Sequence, residues 1–276
     1  MPKHPESWKL DGPILLVGAG KMGGAMLAGW LKAGLPAHQI LVQDPSLEAA
    51  LICGELGVTP KAEQHPASAP AVLLMAVKPQ VMGDIFPAIA RLAGPRTVTL
   101  SIAAGKTLAS FEQHLPADPA VVRGMPNTPA SIGRGMTVLC ANARVTAAQR
   151  TLCEQLMSAV GEVGWVEDEA LMDAVTAVSG SGPAYVFLLA EALAEAGVKA
   201  GLEPALAMQL ARATIAGSGE LMRQSELEAA QLRQNVTSPG GTTAAALEVL
   251  MGAGGLAPLM ERAVAAAVAR GKALSK

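Results

Sequence analysis

The sequence predicts a doubly wound α/β sheet followed by an all-α domain. Three observations carry that reading. From Pro13 to about Glu167, short apolar β-branched runs alternate with helical segments, the repetition that builds a mostly parallel sheet. Those runs are nearly continuous rather than alternating, as strands buried on both faces require. After Asp168 the texture changes: Ala, Leu, Glu and Met dominate and apolar residues recur at helical spacing. The boundary is placed there, with residues 1–167 in the first domain and 168–276 in the second.

Strands are expected at Ile14–Val17, Ile40–Gln43, Ala71–Val77, Thr97–Ile102, Ala120–Arg123, Met136–Cys140 and Val163–Val166. Helical composition fills Met22–Ala33, Leu47–Leu56 and Val81–Leu92 between the early ones. In the second part, helices are expected at Glu169–Val178, Pro183–Ala200, Pro204–Leu221, Leu227–Gln234, Thr242–Met251 and Leu256–Ala273. The run Tyr185–Leu193 carries one charge, Glu191. A helix apolar on most sides is normally buried, so a second subunit is expected to cover this domain.

The first strand runs directly into Gly18-Ala19-Gly20-Lys21-Met22-Gly23, a full GxGxxG that opens an apolar helix. In a Rossmann-type turn the first glycine permits the bend, the second lets backbone approach a pyrophosphate, and the third lets helix pack on strand. The helix amino end then offers unpaired N–H groups and partial positive charge to phosphates. At a strand-to-helix junction near the chain start, the pattern favours dinucleotide binding over a mere packing turn. The second strand ends at Asp44, where the adenosine ribose of such a ligand lies. A carboxylate there accepts hydrogen bonds from both ribose hydroxyls and repels a 2′-phosphate, which leans the reading towards NADH over NADPH. Asp44-Pro45-Ser46 also reads as the cap of the next helix.

Other strand ends carry short loops of small or stiff residues, where open α/β sheets bind ligands. Met75-Ala76-Val77-Lys78-Pro79-Gln80 closes the third strand. Lys78 there either faces the nicotinamide ribose or an anionic substrate, or simply precedes a helix opened by Pro79. Ser101-Ile102-Ala103-Ala104-Gly105 leaves room for a flat ring, and Arg123-Gly124-Met125-Pro126-Asn127-Thr128-Pro129 is stiffened by two prolines, with Arg123 a candidate ion-pair partner at the buried strand end. In the helical part, Val236-Thr237-Ser238-Pro239-Gly240-Gly241-Thr242-Thr243 forms a nest of N–H groups suited to a carboxylate. Ser179-Gly180-Ser181-Gly182-Pro183-Ala184 fits helix crossing or a subunit contact as readily as a ligand.

Composition narrows the function classes. A chain of 276 residues buries a sizeable core without staples. Net charge of −2 points away from a dedicated nucleic-acid binder. Cys53, Cys140 and Cys153 are odd in number and scattered, and no Cys or His spacing suggests a metal. His4, His38, His65 and His114 read as surface imidazoles. The polar start MPKHPESWKLDG does not read as a signal peptide, and no unbroken apolar run reads as a membrane span. A cytoplasmic location is expected.

Together these segments resemble pyrroline-5-carboxylate reductase, over about Pro13 to Ala273. Asn235-Val236-Thr237-Ser238-Pro239-Gly240-Gly241-Thr242-Thr243 before an Ala/Leu helix looks like the family signature, and VGAGKMG, AVKPQ, RGMPNTPA and AVSGSGPAY match in the same order. The resemblance implies a Rossmann domain plus a helical dimerisation domain, dimers that also assemble into decamers, and reduction of a cyclic imino acid by NAD(P)H. It implies that Gly18, Ala19, Gly20, Lys21, Met22, Gly23, Asp44, Ala76, Val77, Lys78, Pro79 and Ala104 line the dinucleotide groove. Glu169 would sit near the nicotinamide, and Asn235 would approach the cofactor from the partner subunit. Ser238, Gly240, Gly241, Thr242 and Thr243 would hold the substrate, with Thr243 at its ring nitrogen. Asp44 departs from relatives that place a phosphate-tolerant group after the second strand.

Two other readings stand beside it. A β-hydroxyacid dehydrogenase shares the two-domain plan, but its helix-borne lysine has no counterpart in Ser181–Ala194. A sensor that binds NAD(P)H without turnover has no need of the Ser238–Thr243 anion loop.

Overall fold

The computed structural model describes residues 8–274. The polar amino-terminal stretch through residue 7, with His4, lies outside the described residues. Seven strands form one sheet: β1 (Ile14–Val17), β2 (Ile40–Gln43), β3 (Val72–Met75), β4 (Val98–Ser101), β5 (Ala120–Met125), β6 (Gly135–Ala141) and β7 (Gly161–Trp165). Their order is β2-β1-β3-β4-β5-β6-β7. β1 pairs in parallel with both β2 and β3, so the connections diverge at β1 and open a crevice at its carboxyl end.

Not every strand is parallel. β6 runs antiparallel to β5, while β7 runs parallel to β6. The connection Pro126–Arg134 holds only a short 3-10 turn at Thr128–Ile132, too short for the crossover that a parallel neighbour needs.

Helices cover both faces: α1 (Lys21–Lys32), α2 (Leu47–Glu55), α3 (Pro79–Ala90), α4 (Leu108–Glu112) and α5 (Ala147–Ser158). On one face Ile14, Leu16, Val42, Val72 and Leu74 pack with Met26, Leu27 and Trp30 of α1 and Leu156 of α5. The Trp30 indole N–H donates to the Leu156 carbonyl at 2.8 Å, so a wholly buried ring keeps its donor satisfied. On the other face Leu15, Val17, Leu73 and Met75 meet Met82, Phe86 and Ile89 of α3 and Phe111 of α4. Phe86 and Phe111 stand edge to face at 4.9 Å.

Two of these helices were not anticipated. α4 is short and is opened by the Thr107 side chain, which accepts from Ser110 N–H. α5 begins with a full capping box between Thr146 and Gln149, and Thr-x-x-Gln is a signal the sequence does carry.

Beyond β7 a 3-10 turn (Glu169–Leu171), α6 (Met172–Val175) and a π turn (Thr176–Gly180) lead into α7 (Gly182–Lys199). Then follow α8 (Pro204–Gln224), α9 (Ala229–Asn235), α10 (Thr242–Leu250) and α11 (Leu256–Leu274). By packing, the chain divides into one compact unit up to Gly180, rejoined by the chain end from Val268, and a second from Ser181 to Ala267. The segment 168–180 is helical yet packs with the first unit, so the change in texture at 168 and the change in packing at 180 fall at different places.

Within the second unit α7 and α8 meet over small residues: Ala194, Ala207 and Ala211 are buried, and a side chain at Gly197 would press on Leu202 and touch Ala207. The opposite side of α7 is open. Phe187 and Leu188 are each 62% exposed in the single chain. By length and composition alone the stretch Glu169–Lys199 is apolar enough to cross a membrane, and Gly180, Gly182 and Pro183 fall within it. The break expected over Ser179–Ala184 is a change of helix type: the π turn ends at Gly180, Ser181 keeps αR backbone, and α7 starts at Gly182.

Candidate active site

The glycine turn is built by sterics. Gly18 has φ +93°, and a side chain there would come within 2.8 Å of the Ala76 carbonyl carbon. Only glycine takes that backbone without strain. A side chain at Gly23 would strike the Gly18 carbonyl oxygen, so α1 closes directly onto the turn. A side chain at Gly20, by contrast, would meet no atom within 4 Å beyond its own turn and helix. Gly20 is also the N-cap of α1, with no described side chain capping it. The N–H groups of Lys21 and Met22 are therefore left for an incoming group. An open glycine facing the amino end of a helix fits a pyrophosphate and the dinucleotide that carries it.

Asp44 is tied into this turn. Its Oδ2 accepts from Ala19 N–H at 2.8 Å and its Oδ1 from Ser46 N–H at 2.8 Å. The cap of α2 is Ser46, whose Oγ accepts from Ala49 N–H. Asp44 thus joins the end of β2 to the glycine turn, a link between residues 25 apart.

Beside it, Ala76 N–H donates to the Val17 carbonyl at 2.8 Å, and Val77 borders Gly18. Lys78 is the N-cap residue of α3, exposed, with Pro79 in the first helical turn. Ala104 is exposed at the end of β4, next to Gly105, which takes φ +72° against Leu274. The structure therefore brings residues 18–23, Asp44, 76–79 and Ala104 to the carboxyl edges of β1, β2, β3 and β4, around the point where the strand order diverges.

Glu169 has other partners. Its Oε1 accepts from Leu108 N–H at 2.9 Å and from Arg123 Nη1 at 3.0 Å. Arg123 is 5% exposed, so this is a nearly buried ion pair whose carboxylate also holds the amino end of α4. It fixes the Ala103–Thr107 turn to β5. The pairing spans 46 residues, beyond the reach of local pattern. Nor did the sequence expose the segment from Lys61 to Gln64, which lies along β2: Lys61 forms an isolated parallel bridge to Gln43, and the buried Gln64 donates to the Val42 carbonyl.

The loop before α10 belongs to the second unit. Thr237 Oγ1 donates back to the Arg233 carbonyl, closing α9 rather than capping α10. Gly240 takes φ +69°, Gly241 N–H donates to the Ser238 carbonyl at 3.0 Å, and Gly241 is the N-cap, again without a described side-chain cap. The Thr242, Thr243 and Ala244 N–H groups precede the first turn's acceptors, so the helix amino end points out uncapped. Thr243 is half-buried, and Thr242 and Ser238 are exposed. Asn235, the last residue of α9, accepts from Gln231 at 2.9 Å.

Burial raises all three cysteine thiols, and Cys153, wholly buried, is pushed up to about 12. They are inert packing groups rather than nucleophiles.

A glycine-turn sheet with its crevice at β1, followed by a helical unit, defines a dinucleotide-binding protein of two parts. Comparison with known proteins agrees. Residues 13–105 match the family model "NADP oxidoreductase coenzyme F420-dependent", and residues 169–274 match "Pyrroline-5-carboxylate reductase dimerisation". The chain is 44% identical to the pyrroline-5-carboxylate reductase of Pseudomonas aeruginosa, over 95% of this chain and 97% of that one. A solved pyrroline-5-carboxylate reductase from Coxiella burnetii superposes with TM-score 0.90 at 36% identity, covering 96% of this chain and 99% of that one. A Plasmodium falciparum pyrroline carboxylate reductase with NADP bound gives TM-score 0.78 at 28% identity, with coverage of 96% and 99%. The chain belongs to the pyrroline-5-carboxylate reductase family. It is an oxidoreductase, its second part is the family's dimerisation domain, and NAD(P)H is its class of coenzyme.

Proposed function

We propose that the chain reduces 1-pyrroline-5-carboxylate to L-proline, the last step of proline biosynthesis, using a division of labour between two glycine-capped helices. The observation that carries this reading is that α1 and α10 both begin at a glycine with no side chain competing for their first N–H groups. One amino end takes the coenzyme's pyrophosphate and the other the substrate carboxylate.

The coenzyme, when bound, supplies the hydride. The rest falls to this chain's own residues. The hydride adds to the imine carbon, the C=N electron pair moves to nitrogen, and that nitrogen already holds its proton, so no strong general acid is needed. Orientation then dominates, and it can supply roughly 7–11 kcal/mol in well-aligned intramolecular reactions. In this reading the Thr242 and Thr243 N–H groups that follow the N-cap Gly241 grip the carboxylate, while Ser238, Gly240 and Gly241 shape the turn. The Thr243 hydroxyl fixes the ring nitrogen, and so decides which carbon faces the hydride. Gly18 to Gly23, Ala76 to Pro79 and Ala104 form the groove for the coenzyme, and Asn235 reaches it from a partner subunit. The ion pair of Glu169 with Arg123 supports a positioning role behind that groove.

Asp44 favours NADH, because its carboxylate repels a 2′-phosphate. Self-association through the dimerisation domain covers the apolar side of α7, dimers build a decamer, and the protein works in the cytoplasm without nucleic-acid or membrane partners. The test is a rate measurement: loss of NADH and of NADPH absorbance with pyrroline-5-carboxylate, against a 2-hydroxy acid with the oxidised coenzymes. Turnover of the hydroxy acid and none of the imine would overturn the reading.

A further inference from the structure

We propose that Lys61 is a second coenzyme-selecting residue, which holds the 2′-phosphate of NADPH beside Asp44; this deepens, and rests on, the reading that the coenzyme lies along the glycine turn. Lys61 bridges Gln43 in parallel register, its N–H donates to the Val42 carbonyl at 3.0 Å, and its carbonyl accepts from Asp44 N–H at 2.9 Å. Gln64 holds the same segment down through two further bonds, to the Gln43 side chain and the Val42 carbonyl. A lysine is thus anchored one strand spacing, about 4.8 Å, outside the end of β2. In a dinucleotide fold that is the corner where the adenosine ribose lies.

Charge distribution completes the case. Lys61 is exposed and makes no ion pair among the described residues. Its sequence neighbour Glu63 faces His65 at 3.9 Å. Asp44, its nearest carboxylate by backbone, turns both oxygens to the N–H groups of Ala19 and Ser46 instead. The corner therefore carries an anion directed at the glycine turn and a free cation on a flexible stem at its rim. A ribose with free hydroxyls uses the anion alone. A 2′-phosphate meets repulsion from Asp44 and needs a compensating cation, which a compact ammonium supplies without fixed geometry.

Calorimetry with 2′,5′-ADP and 5′-ADP, and fluorescence titration with NADPH and NADH, test this on the intact protein. Lys61→Ala is expected to weaken 2′,5′-ADP and NADPH binding about threefold to tenfold and to flatten their salt dependence, as loss of one partly exposed ion pair should. Binding of 5′-ADP and NADH is expected to hold within about twofold. Lys61→Arg, which keeps the charge, should hold 2′,5′-ADP and NADPH binding near the wild-type level, which a merely structural role would not predict. Equal losses for both ligand pairs, or no loss for either, overturn the assignment of Lys61 alone. Wild-type protein that binds neither 5′-ADP nor 2′,5′-ADP overturns the coenzyme reading beneath it as well.

Discussion

Asp44 shows how one side chain holds two jobs. Its oxygens pin the glycine turn to β2 through Ala19 and Ser46, and in the proposed function the same negative charge faces the coenzyme's adenosine ribose. Asp44→Ser should shift the NADPH-to-NADH ratio of kcat/KM towards NADPH by about tenfold, read from initial rates with each coenzyme. An unchanged ratio would show that Asp44 serves only the turn. Thr243, the residue proposed to meet the substrate, stands in the first turn of α10 and is half-buried. Removing a hydrogen bond to a charged group costs about 1.5–3 kcal/mol. Thr243→Ala should therefore lower kcat/KM for the imine by roughly tenfold to a hundredfold, with NADH affinity from fluorescence titration almost intact. For Glu169 the resemblance implies a place near the nicotinamide; to that the structure adds that its oxygen serves Arg123 and Leu108 N–H, a partnership with a residue 46 positions distant.

At the scale of elements, legibility followed the range of the signal. β1 and β2 lie where the apolar runs placed them, because a strand buried on both faces is spelled out by its own residues. α10 begins at Thr242, as glycine and threonine chemistry indicated. The direction of β6 was not legible, since it depends on how far Pro126–Arg134 can travel rather than on β6 itself. Helix α5 carries a further consequence. Its Cys153 is completely buried and its thiol is pushed up to about 12 from an ordinary 9.0. Below pH 9 the thiol is neutral folded and unfolded, so nothing is lost. Between 9 and about 12 the unfolded chain releases this proton while the folded chain retains it, so stability falls as pH rises. The slope is at most about 1.4 kcal/mol per pH unit. Denaturant midpoints across that window should fall less steeply for Cys153→Ala than for the wild type, and parallel slopes would refute the attribution.

The whole molecule is completed by association. In a single chain α7 leaves Phe187, Leu188 and Leu189 largely exposed, more apolar surface than a stable monomer keeps in one place. Burying each such side chain is worth about 1.5–3 kcal/mol. Leu188→Glu should therefore convert the assembly to monomers in sedimentation velocity at micromolar concentration, while far-UV circular dichroism retains its helical signal. An assembly of unchanged mass would place the interface elsewhere.

What the sequence by itself determined was encoded by adjacent residues: the glycine turn, the buried strands, the start of α10 near Thr242, and the family whose motifs recur in order. The tertiary structure alone decided which distant groups satisfy one another. Arg123 meets Glu169, Asp44 reaches Ala19, and Lys61 is laid beside β2. The reason is physical. Periodicity and steric demands act within a few residues, whereas an ion pair or a strand edge is chosen by whatever the folded chain brings within hydrogen-bond distance.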